Sequence, residues 1–133
     1  MKFEVITLLV ITNILNIELA TNEAQREKGL MDRKVWGKTD GMLFIHDKPS
    51  QVAYWMKNTY LDMYLCYLDE DFNILEVYHP QPLSTIAIIS SNTNVKFVLE
   101  LNTKHSNILF TEKFNELKYN LKKKLRYWNP LKF

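Results

Sequence analysis

Two segments of the sequence combine large apolar residues with cations and amides, the mixture expected where a packed core meets a polar pocket. Residues 26–31 read Arg-Glu-Lys-Gly-Leu-Met, and residues 54–59 read Tyr-Trp-Met-Lys-Asn-Thr. Arginine and lysine hold carboxylates or phosphates through charge-assisted hydrogen bonds, and an indole ring offers a flat wall for stacking. These two segments therefore contain the best candidates for a functional site.

We expect five residues to form this site: Arg26, Arg33, Trp55, Lys57 and Asn58. In this hypothesis the cations bind a small anionic or polar ligand, Trp55 forms a wall, and Asn58 orients the ligand through its amide. If the second segment is a strand, Trp55 and Lys57 lie on the same face of it. A structural interpretation stays open, in which the Trp-Met pair belongs to the core and Lys57 extends along the surface.

The sequence offers only part of a catalytic site. Acid–base catalysis usually needs two carboxyl groups in different environments, and the chain offers Asp62, near Lys57, without an evident second carboxylate. Residues 69–71 are acidic and have the composition of a solvated turn, and the chain has no nucleophile motif or phosphate-binding glycine loop. An enzyme with Asp62 as base and Lys57 as electrostatic stabiliser is a third hypothesis, and a non-catalytic role is favoured.

His46, His79 and His105 are far apart in the sequence and lie near predicted loops. No two of them have the spacing of a helical metal-binding pair, so we expect neither a metal site nor a cofactor. Cys66 is the single cysteine, which excludes an intrachain disulfide. It lies in an apolar run and is predicted to be a buried thiol.

Short strands are the main elements that must position these residues. β-branched and alternating segments predict about seven of them, beginning with a hairpin over residues 3–20 and including residues 95–101, whose side chains alternate between two faces. Residues 23–28 follow an N-cap and precede a C-capping glycine, which predicts a short helix. Residues 111–128 change to spacings of three and four, which predicts a longer amphipathic helix. Its apolar stripe contains Phe114, Leu117, Leu121, Leu125 and Trp128.

The sequence therefore predicts an α+β fold in one domain over residues 1–133. Its β-rich core consists of mostly antiparallel, hairpin-connected strands that curl into a sandwich or a small barrel. One short N-terminal helix and one C-terminal helix complete the fold. With 47% hydrophobic and 13% aromatic residues, a chain of 133 residues can bury a core without disulfides.

Charge is distributed unevenly along the chain, although its net value is only +2. Residues 111–133 contain seven lysines and arginines against two glutamates, whereas the rest of the chain is mildly acidic. A basic helix with aromatic residues is compatible with nucleic-acid binding, but a solvated face opposite an apolar stripe explains the same pattern. We therefore expect no nucleic-acid partner. The apolar-rich segment 128–133 is suited to docking onto a second copy or another assembly partner.

The N-terminal apolar run does not have the form of an export signal. Glu4 lies where a signal peptide is basic, Thr7 and Asn13 interrupt the run, and no small-residue cleavage site follows. The run is also shorter than the roughly 20 residues that span a bilayer. We expect a cytoplasmic protein without a membrane span, or a virion component if the protein belongs to an assembly.

In order and spacing, these motifs resemble the bacterial, archaeal and phage family catalogued as domain of unknown function 192. The matching blocks are Ala20-Thr21, Arg26, Gly29-Leu30-Met31-Asp32-Arg33, Gly41-Met42-Leu43-Phe44, Trp55-Met56-Lys57-Asn58-Thr59 and Val95 to Leu101. The resemblance covers roughly residues 14–102 and implies a compact, β-rich α+β domain of a family without an established biochemical activity. Many family members carry an export signal, and those without one occur in phage genomes.

Two positions depart from the pattern of that family. After Asn-Thr the family usually reads aromatic-Ile-Pro-Leu-Asp, whereas this chain has Asp62 in place of the proline and Tyr64 in place of the aspartate. A glycine-containing turn usually follows the late Glu-Leu, and residues 102–105 contain no glycine. Both departures favour a non-catalytic role, and whether the exchange at Tyr64 abolishes a site of the family stays open.

The favoured hypothesis is a non-catalytic binding or accessory domain with a small-ligand site around residues 55–59. The alternative is a structural subunit of a larger assembly, such as a phage particle, in which the same residues belong to the core. In that case the C-terminal helix and tail make the contacts. The two hypotheses differ in whether Lys57 faces a cavity or solvent.

Overall fold

The computed structural model describes residues 1–128, which form β-strands and α-helices joined by short loops. The strands are β1 (Glu4–Val10), β2 (Asn13–Ala20), β3 (Gly41–Ser50), β4 (Ala53–Tyr54), β5 (Met63–Leu68), β6 (Ile74–Tyr78), β7 (Ile88–Ile89) and β8 (Val95–Asn102). The helices are α1 (Glu23–Lys28), α2 (Ser106–Leu109) and α3 (Lys113–Trp128), and a 3₁₀ turn at Thr103–His105 precedes α2.

Six strands form one sheet in the order β1-β2-β3-β8-β5-β6, and β4 and β7 form a separate ribbon. Neighbouring strands are antiparallel except β2 and β3, which are parallel because the connection through α1 crosses the sheet. The α+β prediction is confirmed, and so is the mostly antiparallel sheet. Of the two expected shapes, the closed barrel does not form, because β1 and β6 remain separate edges.

The first face of the sheet is covered by α2 and α3, and α3 packs along β1. The predicted apolar stripe is buried there at Phe114, Leu117, Leu121 and Leu125. The side chain of Trp128 and residues 129–133 lie outside the described part of the chain, so the docking of that apolar end stays a prediction. None of the helices within residues 1–128 is both long and apolar enough to cross a membrane.

The second face has a thinner cover made of α1, the loop that follows it and the β4–β7 ribbon. Leu30 and Met56 from these segments are buried against Phe44 and Tyr67 of the sheet. Helix α1 itself contributes no buried residue. A short helix and irregular chain cannot fill this side as α3 fills the other, and a cleft remains between them.

The segment that carries Trp55 and Lys57 does not form the strand suggested by its alternation. Pairing stops at β4, and the chain turns where the N–H of Thr59 donates to the carbonyl of Met56 at 3.1 Å. The alternation of burial persists without a strand, because Met56 is 2% exposed and Trp55 is 46% exposed. Trp55 is therefore a surface residue, whereas the adjacent methionine belongs to the core.

Candidate functional site

A cleft of about 910 Å³ lies on the second face of the sheet. Helix α1 forms one wall, through Arg26 among other residues, and residues 50–59 form the opposite wall. The floor includes Phe44 and His46 from β3 and Glu100 from β8. The cleft therefore joins the two sequence segments that mix apolar residues with cations.

Four of the five predicted site residues line this cleft: Arg26, Trp55, Lys57 and Asn58. Arg33 is directed elsewhere, because its two terminal nitrogens donate to the carboxylate of Glu18 at 2.5 and 3.0 Å. The hydroxyl of Thr39 donates to the same carboxylate. Burial alone would raise the pKa of Glu18, but the hydrogen bonds from Arg33 and Thr39 outweigh it and hold that pKa below its ordinary value.

Arg26 is positioned by the way in which α1 ends. Gly29 terminates the helix with φ of 48°, and its N–H donates to the carbonyl of Gln25 at 2.8 Å. A Cβ at Gly29 would lie 3.2 Å from the ring of Phe44, so glycine allows both the turn and the close approach of the helix end to the sheet. The Arg26 guanidinium donates to the carbonyl of Ile45 at 2.9 Å, and its other N–H groups have no partner within residues 1–128.

Trp55, Lys57 and Asn58 are displayed by the turn after β4. The Lys57 ammonium lies 5.1 Å from the centroid of the Trp55 ring, within the range of a cation–π interaction. Asn58 has φ of 54°, a left-handed conformation that asparagine tolerates. Its carbonyl accepts from the N–H of Asp32 at 2.8 Å, which ties this wall of the cleft to the loop after α1.

Asp62, the proposed catalytic base, does not line the cleft. Its carboxylate lies 2.7 Å from Nε2 of His79 and accepts from the hydroxyl of Thr103 at 3.4 Å. Both members of the pair are largely exposed, with side-chain exposures of 53% for His79 and 56% for Asp62. The structure thus brings Asp62 to a surface pair with a histidine and not beside Lys57.

The other candidate groups for metal binding or nucleophilic chemistry take part in packing. Cys66 is fully buried, as predicted, and burial raises the pKa of its thiol. Nε2 of His105 lies 2.8 Å from Asp40, whose other carboxylate oxygen accepts from the N–H of Asn16 at 2.8 Å. Within residues 1–128, no group of three histidine, cysteine or acidic side chains could hold a metal ion.

Glu100 is the cleft residue that the sequence interpretation missed. It lies on β8 between Met42 of β3 and Leu65 of β5, and it is only 5% exposed. Its carboxyl group makes no hydrogen bond or ion pair with any described residue. Burial raises the pKa of Glu100 to about 8. A glutamate between Leu99 and Leu101, on a strand with several large apolar residues, was the available signal.

Aromatic and polar groups surround this carboxyl. The rings of Phe44 and Tyr54 meet edge to face with centroids 5.1 Å apart. The centroid of the Tyr67 ring lies 6.1 Å from that of Tyr54. The hydroxyl of Tyr54 lies 2.7 Å from Nε2 of His46. Burial raises the pKa of both tyrosines and lowers the pKa of His46, so these groups are neutral at pH 7. The floor therefore combines aromatic rings, a neutral imidazole and a carboxyl group that changes charge near neutral pH.

Comparison with known proteins agrees with this architecture. The profile of the family described as "DUF192: Uncharacterized ACR" matches residues 8–113. A crystal structure from Sinorhizobium meliloti 1021, named a "putative transcription regulator", is 34% identical, with a TM-score of 0.66 over 80% of this chain and 87% of that chain. A protein of unknown function from Novosphingobium aromaticivorans DSM 12444 is 22% identical and shares the fold, with a TM-score of 0.66 over 82% and 80% of the two chains. No curated protein matches.

The family match extends over most of the chain, and it includes the Gly-Leu-Met, Gly-Met-Leu-Phe and Trp-Met-Lys-Asn-Thr blocks. The Gly-Leu-Met and Trp-Met-Lys-Asn-Thr blocks contribute to the walls of the cleft. Phe44, the last residue of the Gly-Met-Leu-Phe block, contributes to its floor. The chain therefore belongs to the family catalogued as domain of unknown function 192.

Proposed function

We propose that the protein is a binding or accessory domain whose cleft takes a small ligand with an anionic group. The observation that carries this proposal is that Arg26 of α1 and Lys57 of the opposite wall line one cleft. Within residues 1–128, neither cation is paired with a carboxylate. A ligand carboxylate or phosphate would offset both charges through charge-assisted hydrogen bonds.

Trp55 and Asn58 support the same proposal. The exposed Trp55 ring already holds the Lys57 ammonium at its face, which restricts where that charge can lie. The left-handed backbone of Asn58 fixes the turn that presents Lys57 and connects it to the other wall. A site assembled on two connected walls loses little freedom when a ligand binds, because much of the ordering is already present.

The two other hypotheses have less support. A structural subunit that binds through α3 would need an apolar surface on that helix, whereas its stripe from Phe114 to Leu125 is buried within the chain. Its contacts through residues 129–133, and its place in a phage particle, stay predictions. An enzyme that uses Asp62 beside Lys57 has less support because Asp62 pairs with His79 outside the cleft.

The proposal is tested by titrating the ¹⁵N-labelled protein with formate, butyrate, hexanoate and methyl phosphate and following the amide resonances. We expect the shifts to cluster in residues 23–31 and 50–59. Lys57→Gln should lower the affinity for the tightest-binding of these ligands by about tenfold or more, which is the effect expected for the loss of one hydrogen bond to a charged group.

Lys124→Gln is the matched control, because it removes the same charge from the exposed side of α3, on the opposite face of the sheet. It should leave the affinities unchanged. Equal binding by the parent and Lys57→Gln, or shifts spread evenly over the molecule, would contradict the proposal.

A further inference from the structure

We propose that the ligand of this cleft carries an organic cation, an alkylammonium group, which binds at the floor between Glu100 and the neighbouring aromatic rings. The inference rests on the proposed function and adds the chemical class of the ligand. An anionic group at the walls and an ammonium group at the floor describe a zwitterion whose two charges are separated by a spacer.

The first argument is that the protein pairs its other buried carboxylates but leaves this one without a partner. Glu18 holds a bidentate ion pair with Arg33, and Asp40 is paired with His105 at 2.8 Å. Glu100 is buried to a similar degree, faces the cleft and has no partner within residues 1–128. A buried carboxyl group without a partner is costly to ionise, and a cation that enters the cleft is the group that would offset that cost.

The second argument is the chemistry of the surrounding rings. Phe44 and Tyr54 line the cleft, and aromatic faces beside a carboxylate are typical of sites for organic ammonium groups. The tyrosine hydroxyls already have partners, because that of Tyr54 bonds His46 and that of Tyr67 donates to the carbonyl of Ile88. The rings and the carboxyl group, and not the hydroxyls, are thus available for recognition.

The third argument is that the cations and the carboxyl group of the cleft are not paired with each other. Arg26 and Lys57 line the walls, and neither forms an ion pair with Glu100. The cleft therefore offers two cations and one carboxyl group to a ligand. A ligand that pairs with both carries an anion and a cation at different ends, as ω-amino acids do.

Binding of an ammonium group would ionise Glu100 and release one proton to solvent. The titratable groups that interact with this carboxyl are Tyr54, Tyr67 and Cys66, and the pKa of each is raised, so they remain neutral. The other charged or titratable residues of the cleft are Met1, which carries the terminal amino group, Glu23, Arg26, Glu27, Lys28, His46 and Lys57. Of these, His46 has a pKa lowered by burial and is neutral above pH 7. The affinity for the ammonium should therefore follow Glu100 and rise with pH up to about 8.

The test compares three probes of equal chain length, 6-aminohexanoate, 6-hydroxyhexanoate and hexanoate, by isothermal titration calorimetry between pH 6 and pH 9, with shorter homologues of each. We expect the amino acid to bind at least about tenfold more tightly than the hydroxy acid at pH 8. Its affinity should rise by up to about tenfold per pH unit from pH 6 and level off above pH 8. In Glu100→Gln, the amino acid should bind no more tightly than the hydroxy acid.

The outcomes separate this inference from the proposed function. If hexanoate binds but the amino group adds nothing in the parent, the ammonium site is refuted and the anion site stands. The inference is also refuted if the hydroxy acid binds more tightly than the amino acid, with an affinity that is constant below pH 8 and falls above it. That result would show that protonated Glu100 donates a hydrogen bond to a neutral oxygen. If hexylamine, measured as a fourth probe, binds with the predicted pH dependence while hexanoate and 6-hydroxyhexanoate do not bind, the ammonium site stands and the anion site is refuted. The pH profile of the parent decides the matter even if Glu100→Gln folds poorly.

Discussion

Glu100 shows how one side chain sets a pH dependence for the whole protein. Its pKa is 4.5 when it is unperturbed and about 8 in the folded protein. Between these values the folded chain keeps a proton that the unfolded chain releases, so the free energy of unfolding falls as the pH rises through this window. The stabilising contribution of the protonated carboxyl is complete below about pH 4.5 and lost above about pH 8.

Glu100→Gln should remove this dependence, because the amide keeps the size of the side chain without its charge. We expect the variant to gain stability over the parent as the pH rises from 5 to 8, with an upper limit of about 4 kcal/mol. Urea unfolding of both proteins at several pH values measures the difference. Glu70→Gln, at an exposed turn, is the control and should show no such trend. A constant difference between Glu100→Gln and the parent would contradict the assignment.

Individual site residues were predictable where the sequence marks them by composition. Arg26, Lys57 and Asn58 belong to segments that mix cations and amides with large apolar residues, and they do line the same cleft. Arg33 carries the same signal, but its partner Glu18 comes from β2, a contact between distant segments that no local pattern reveals. Glu100 was overlooked for the same reason, since alternation predicts its strand but cannot show that both faces of that strand are covered.

At the scale of elements, the end of α1 controls the shape of the cleft. Gly29 adopts φ of 48° and ψ of −135°, a conformation that side chains rarely allow, and a Cβ there would approach the ring of Phe44 to 3.2 Å. Gly37 also has a positive φ, 60°, but a Cβ there would meet nothing within 4 Å. Alanine substitutions at the two positions therefore distinguish the stability lost to backbone strain from the stability lost to crowding against Phe44.

Gly37→Ala should lower stability by about 1–2 kcal/mol through backbone strain alone. Gly29→Ala should cost more, about 2–4 kcal/mol, because its backbone is less favourable for alanine and the Phe44 ring must move as well. Thermal and chemical unfolding measure both variants. Equal losses would mean that the helix end is not packed tightly against the sheet.

Helix α3 serves internal packing on the opposite face. Leu121, in the middle of its stripe, is fully buried, whereas Lys122 beside it is exposed and lies 3.8 Å from Asp71. Leu121→Ala should cost about 2–5 kcal/mol through the cavity that it leaves. Lys122→Ala should change stability by no more than about 0.5 kcal/mol. Chemical denaturation followed by circular dichroism measures both, and a loss below about 1 kcal/mol for Leu121→Ala would indicate a weakly attached helix.

Elements with a strong local signal were predicted well, and those decided by distant contacts were not. The β1–β2 hairpin, α1 and α3 follow from alternation, capping residues and a helical stripe. The parallel pairing of β2 with β3 joins strands separated by a whole helix and loop, so no local pattern encodes it. β3 also continues through Pro49 to Ser50, because the register with β8 shifts between Ile45 and Ser50, and an irregular pairing can accommodate a proline.

At the scale of the whole molecule, the two faces of the sheet differ in what covers them. On the first face, the apolar side of α3 packs against the sheet. On the second face lie α1 and residues 50–59, which form the walls of the cleft. Neither wall belongs to the six-stranded sheet, apart from the end of β3 at Ser50. The walls can therefore open locally without unfolding of the sheet.

Amide hydrogen exchange should reveal this division. We expect the slowest exchange in β2, β3, β8 and β5, because each of these strands pairs with a neighbour on both sides. The peptides that cover α1 and residues 51–59 should exchange at least about tenfold faster, since α1 buries no side chain and the second wall makes few strand pairs. 6-Aminohexanoate at saturation should slow exchange in the walls and leave α3 unchanged, because the cleft and α3 lie on opposite faces of the sheet. Exchange rates that are uniform over the chain, or protection confined to α3, would contradict a rigid sheet with a separately mobile binding face.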